Sequence, residues 1–145
     1  MRISDILRVK GENVVTVTPD TTVERLLAVL AEHKIGAVVV SGEGTTVDGI
    51  VSERDIVRAL AARGAGVLAE PVSAIYTADV RTVAPEAELA EVERLMTERR
   101  FRHVPVVVGG GLHGIVSIGD VVKKRIDELE TERESLAGYI TGERR

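Results

Sequence analysis

Gly49-Ile50-Val51-Ser52-Glu53-Arg54-Asp55 is written a second time as Gly114-Ile115-Val116-Ser117-Ile118-Gly119-Asp120, and the reading of the whole chain works outward from that repetition. In each copy the glycine is read as making a turn and the aliphatic pair as a short strand. A serine and an aspartate three residues apart then stand at the opening of a helix. Either polar side chain can cap the free N–H groups of a helix start, so one copy alone reads as a cap. Two copies at identical spacing point to a pair of ligand sites.

The segments around the motif repeat as well. Val83-Ala84-Pro85 follows Val17-Thr18-Pro19 by 66 residues, and the apolar stripe Leu89, Val92, Leu95, Met96 follows Val23, Leu26, Val29, Leu30 by the same interval. Phe101 to Val106 stands where Ile35 to Val40 stood, and Pro71-Val72-Ser73-Ala74-Ile75 echoes the lead-in Arg2-Ile3-Ser4-Asp5-Ile6. Self-similarity at a fixed interval is the mark of a repeated structural unit. Within the first unit, β-branched Val14 to Thr18 predicts a strand stopped by Pro19. Val23 to Ala31 predicts a helix, Ala37 to Val40 a buried strand, and the residues from Asp55 a second helix ending at Gly64.

Each unit thus reads strand, helix, strand, strand, helix. One unit of that size cannot close a core of its own, so two should share one body. The fold class expected is α+β, two βαββα-type repeats packed with pseudo-two-fold symmetry. The repeats fall at 1–66 and 67–130, with a helical tail at 131–145.

Composition narrows the function. A 145-residue chain with 44% hydrophobic and 29% charged residues is that of a folded domain. One Phe, two Tyr and no Trp leave no stacking platform for single-stranded nucleic acid, and a net charge of −4 argues against duplex binding. The absence of cysteine excludes disulfides, a thiolate nucleophile and a Cys-type zinc site. His33, His103 and His113 share no ligand-like spacing, so no metal is expected. No apolar run approaches a membrane span, and the N-terminus has no signal core, which makes a cytoplasmic protein the default.

With the doubled Gly-x-x-Ser-x-x-Asp motif and Arg102-His103-Val104-Pro105-Val106 before its second copy, the chain resembles a tandem cystathionine β-synthase (CBS) domain pair of the stand-alone bacterial type. The tail from Arg125 to Glu134 resembles the closing helix of such proteins. The resemblance implies an adenine-nucleotide sensor, its ligand AMP, ADP, ATP, S-adenosylmethionine or NAD(H), with AMP the first choice and no catalytic cofactor. The residues suit this chemistry independently. A carboxylate such as Asp55 or Asp120 can accept hydrogen bonds from both ribose hydroxyls, and Ser52 and Ser117 lie where a helix N-terminus favours phosphate.

The resemblance further implies that each cleft borrows from both repeats. Around Asp120 it places Ile115, Ser117, Arg102 and His103, closed by Thr18, Val23, Ile35, Gly36 and Ala37. Around Asp55 it places Ile50, Ser52 and Arg54, closed by Ala84, Leu89, Phe101 and Arg102. Because Gly36-Ala37 stands in the first repeat where the second has Arg102-His103, the sites should be unequal, the Asp120 site preferring a charged mononucleotide.

Other candidates carry blander readings. Arg99 and Arg100 read as a solvated helix end, Lys123-Lys124-Arg125 as a solvated face, and Gly109-Gly110-Gly111 as a hairpin turn lacking the Lys-Ser/Thr of a P-loop. Ser117, His103 and Asp120 can be written as a hydrolytic triad, but no nucleophile-elbow glycines flank Ser117, and no enzyme is expected. Val122, Ile126, Leu129, Leu136 and Ile140 form an apolar stripe on the last helix, with Gly138 and Gly142 fraying its end. That stripe predicts a homodimer. The expectation is a regulatory module acting on an unknown protein target in trans. The alternative is a dimerisation or docking module whose clefts stay empty.

Overall fold

The computed structural model describes residues 1–141, with side chains to residue 138. In the first repeat Thr16–Val17 (β1) runs parallel to Ala37–Val40 (β2), and β2 pairs antiparallel with Gly49–Ser52 (β3). In the second, His103–Val108 (β4) and Gly111–Ser117 (β5) form a hairpin. Its turn is made by Gly109 and Gly110, both at positive φ, in line with the turn read from the sequence. The strand expected near Val83 shrinks to one parallel bridge with Val106. Val83 N–H donates to the Pro105 carbonyl and Val107 N–H to the Val83 carbonyl. The next rung would need an N–H from Pro105, which has none, so the ladder stops.

Among the described residues the α-helices are Ile3–Lys10 (α1), Val23–His33 (α2), Glu53–Arg63 (α3), Leu89–Arg99 (α4) and Ile118–Thr141 (α5). Helix α2 starts at Thr22, whose hydroxyl accepts from the Arg25 N–H at 3.1 Å, and stops at Lys34 in the left-handed region. Helix α4 stops the same way at Arg100. Two non-glycine residues in that uncommon conformation, 66 positions apart, are a backbone signature of the repeat. The mixed helices and small sheets make an α+β fold.

The lead-ins are exchanged. Ile3, Ile6 and Leu7 of α1 are buried with Leu89, Val92, Val104 and Val116 of the second repeat, whereas Val72 is buried with Val17, Val23 and Val51 of the first. Main-chain hydrogen bonds repeat the exchange in register. Ile3 and Ser4 donate to the carbonyls of Ala87 and Pro85, as Val72 and Ser73 donate to those of Thr21 and Pro19. A buried aliphatic side chain contributes about 1.5–3 kcal/mol, so the three from α1 tie the second core firmly to the N-terminus.

The exchange also explains the glycines of the motif. They were read as turns, yet Gly49 begins β3 and Gly114 lies inside β5, and neither has positive φ. A Cβ on Gly49 would stand 2.2 Å from the Tyr76 ring and 2.7 Å from the Thr77 carbonyl oxygen; one on Gly114 would stand 2.7 Å from Leu7. Each glycine makes room for the lead-in of the other unit.

Helix α5 runs unbroken from the second motif to Thr141, so residues 131–141 continue the helix that closes the second repeat. Ile118, Val122, Ile126, Leu129 and Leu136 lie exposed along it, the middle three about half exposed. The Ile140 side chain and Gly142 lie outside the described residues.

Candidate functional site

Both motifs fold into the same local device. Ser52 caps α3 by accepting from the Asp55 N–H at 3.4 Å, while Asp55 Oδ2 accepts from the Ser52 N–H at 2.8 Å and from its hydroxyl at 3.1 Å. Ser117 accepts from the Asp120 N–H at 3.1 Å, and Asp120 Oδ2 accepts from the Ser117 N–H at 2.8 Å. These reciprocal pairs are capping boxes with an aspartate in the acidic position. Each helix therefore opens one residue after its serine, with the aspartate third in the helix. The cap and the site are compatible. Capping engages Oδ2, and among the described residues no hydrogen bond reaches Oδ1 of Asp55.

The two copies differ in what lies in front of them. Asp55 borders a cavity of about 560 Å³ between the repeats. Ile50, Ser52 and Arg54 line it from the first repeat, with Gly36 and Ala37 at the end of β2, and Phe101, Arg102 and His103 line it from the second. Ile50 and Phe101, both partly buried, give it apolar walls. Pockets of this size hold small molecules through an apolar lining and a few placed polar groups.

At Asp120 the space is taken. Lys10, the last residue of α1, donates from Nζ to Asp120 Oδ2 at 2.6 Å and to the Ile115 carbonyl at 2.8 Å. In the first repeat the equivalent carbonyl, that of Ile50, is bonded by the Thr77 N–H, a neutral main-chain partner, and the Asp55 carboxylate is engaged by Ser52. Burial raises the Asp120 pKa, but the hydrogen bond from Lys10, the Ser117 N–H and the Lys10 charge outweigh it and hold the carboxyl below its ordinary value.

Several residues fall elsewhere than the sequence placed them. Gly36, Ala37 and His103, assigned to Asp120, line the cavity of Asp55. Val23 and Leu89 are buried in the two apolar cores, each at the start of a helix whose apolar stripe faces inward. Thr18 is exposed with its hydroxyl engaged by Asp20 and Thr21, Ala84 is exposed, and Ile35 packs against the first core. His103 does not complete a cationic pair with Arg102. Its burial, followed by the charge of Lys10, pushes its pKa below the ordinary 6.5, which disfavours the charged form. Nor do Ser117, His103 and Asp120 form a triad. The Ser117 hydroxyl accepts from the Asp120 N–H, Lys10 holds the carboxylate, and among the described residues no hydrogen bond joins His103 to either.

The cavity also has residues the sequence did not assign. Glu53 and Arg58 enter from α3, Thr77, Asp79, Val80 and Arg81 from the stretch of the second repeat before the Val83 bridge, and Arg99 and Arg100 from the end of α4. The last two were read as a solvated helix end.

A βαββα pair with exchanged lead-ins and a cavity between the repeats defines a class of two-repeat module. The CBS domain model matches twice, over residues 3–62 and 72–127. The chain belongs to the CBS domain family. It is 36% identical to a mitochondrial CBS domain-containing protein of Arabidopsis thaliana, over 97% of this chain and 72% of that one. A CBS-domain protein of Agrobacterium tumefaciens matches in structure with a TM-score of 0.83 at 45% identity, covering 86% of this chain and 99% of that one. A CBS domain protein of Pyrobaculum aerophilum, solved in complex with AMP, matches with a TM-score of 0.72 at 28% identity, covering 83% and 89%. Among the described residues no helix is long and apolar enough to cross a membrane.

Proposed function

We propose that the chain is a non-enzymatic regulatory module that binds an adenine nucleotide in the cavity beside Asp55. The observation that carries this reading is the lining of that cavity. Asp55 offers a carboxylate oxygen, Oδ1, that no hydrogen bond reaches among the described residues, Ser52 and the N-terminus of α3 lie beside it, and Ile50 and Phe101 supply apolar surface from opposite repeats. Asp55 would accept the ribose hydroxyls, and the base would enter between Ile50 and Phe101. The Pyrobaculum aerophilum relative with AMP supports the ligand class. AMP is the first ligand to test, with ATP and NAD(H) beside it.

The second cleft would fill after the first, because a ligand there must displace Lys10 from Asp120. This reverses the order read from the sequence. Ligand in the first cavity bridges α3 and the Phe101–His103 segment, so occupancy alters the angle between repeats 1–66 and 67–130 and with it the surface offered to a target in trans. A cytoplasmic setting follows the sequence reading, and fractionation of tagged protein tests it against the mitochondrial setting of the Arabidopsis thaliana relative.

A second reading, a dimerisation or docking module, draws on the exposed stripe from Ile118 to Leu136 on α5. The two are compatible when the stripe forms a homodimer and the cavity controls its geometry. Calorimetric titration with AMP, ATP, NADH and S-adenosylmethionine separates them. Binding by one of them supports the sensor, and silence from all four at millimolar concentration leaves the docking module.

A further inference from the structure

Six arginines line the cavity beside Asp55. Arg54 and Arg58 come from α3, Arg81 from the stretch just before the Val83 bridge, Arg99 and Arg100 from the end of α4, and Arg102 from the approach to β4. Glu53, Asp55 and Asp79 line the same space, yet among the described residues none forms an ion pair with any of the six. Elsewhere Arg2, Arg8, Arg25, Arg63 and Arg125 each reach a carboxylate, while among the described residues Arg94 and Arg133 do not. In a chain of net charge −4, this cavity has a formal excess of three positive charges over its own carboxylates. Like charges gathered without counter-ions repel one another, and Arg54 and Arg58 do so across one turn of α3.

One phosphate is satisfied by about two or three guanidinium forks, so six arginines around one cavity exceed what a single phosphate uses. Each arginine fork matches two anionic oxygens, so a row of phosphates is the anion that uses them. From this we infer that the cavity selects ligands with two or more consecutive phosphates over the monophosphate, with Arg58, Arg81, Arg99 and Arg100 reading the phosphates beyond the first. The inference rests on the nucleotide reading above and adds to it the length of the phosphate chain. Ser52 and the α3 N-terminus line the same cavity as the six arginines.

Calorimetry without magnesium, using adenosine, AMP, ADP, ATP and inorganic tripolyphosphate, tests this on the full chain. The expected order is ATP tighter than ADP tighter than AMP, with ATP over AMP by at least about tenfold and a steeper loss of ATP affinity with salt. The double variant Arg58→Gln, Arg99→Gln, at two exposed positions, should lower the ATP-to-AMP ratio by about threefold or more while Arg81 and Arg100 remain. AMP binding as tightly as ATP overturns the inference and leaves the nucleotide reading intact. Tripolyphosphate binding as tightly as ATP, insensitive to Asp55→Asn, supports the arginine cradle and removes the nucleoside. Failure of every ligand removes both.

Discussion

Lys10 Nζ lies 2.6 Å from Oδ2 of Asp120, 110 residues away, and closes the cleft that the sequence put first. The pair is about one-third exposed, so its worth is modest. Lys10→Met should leave the fold intact and expose a second site. Titration with AMP should then show a second binding event roughly threefold to tenfold tighter than in the parent, and Asp120→Asn in that background should cancel the gain. Unchanged or weaker second-site binding in Lys10→Met would mean that the ammonium assists the ligand instead of blocking it.

The motif glycines should be unequal under substitution. Gly49→Ala sets a methyl against the Tyr76 ring and the Thr77 carbonyl, backbone that cannot yield without breaking the Ile50–Thr77 pairing. A cost of about 1–3 kcal/mol is expected. Gly114→Ala meets only the end of the Leu7 side chain, which can rotate, and should cost less. Thermal unfolding of the two variants checks the order.

His103 gives the fold a dependence on pH. Burial lowers its pKa from 6.5, Lys10 and Arg102 lower it further, and Asp120 and Glu53 oppose them. Below pH 6.5 the unfolded chain binds the proton that the folded chain refuses, so stability should fall as pH drops. The depressed Asp120 acts in the same direction at lower pH: its contribution is full above 3.8 and is lost as pH falls through the folded value. Calorimetric scans should show Tm declining below pH 6.5 in the parent and a flatter limb in His103→Gln. An equal decline in both would remove His103 from this role.

The stripe on α5 carries the prediction of self-association. Val122, Ile126 and Leu129 lie half exposed at helical spacing, and charges there should separate a dimer built on them. Light scattering at micromolar concentration is expected to give two chains for the parent and one for Val122→Glu, Leu129→Glu. A parent of one chain would refute the dimer.

What was legible from sequence came chiefly from repetition. An offset of 66 residues carried the strand and helix types, one of 65 the doubled motif, and Gly109-Gly110-Gly111 gave the hairpin. An offset relates like segments but does not say which core each joins, so the exchange of Ile3 and Val72 between cores was hidden. The Lys10 contact was hidden for the same reason, since it joins the end of one lead-in to the other motif. Val83 looked as strand-like as Val17, and the missing Pro105 N–H decided otherwise. Arg99 and Arg100 carried no periodic signal, and only tertiary packing turned the end of α4 toward the cavity.

The claim on which the rest depends is that Asp55 holds the ribose of an adenine nucleotide. Its direct test is calorimetric titration of AMP into the parent and Asp55→Asn, a change that keeps an acceptor for the Ser52 N–H while removing the charge. The account predicts saturable binding to the parent and a loss of about tenfold to a hundredfold in the variant. Equal affinity in the two proteins, with the variant folded, would contradict it.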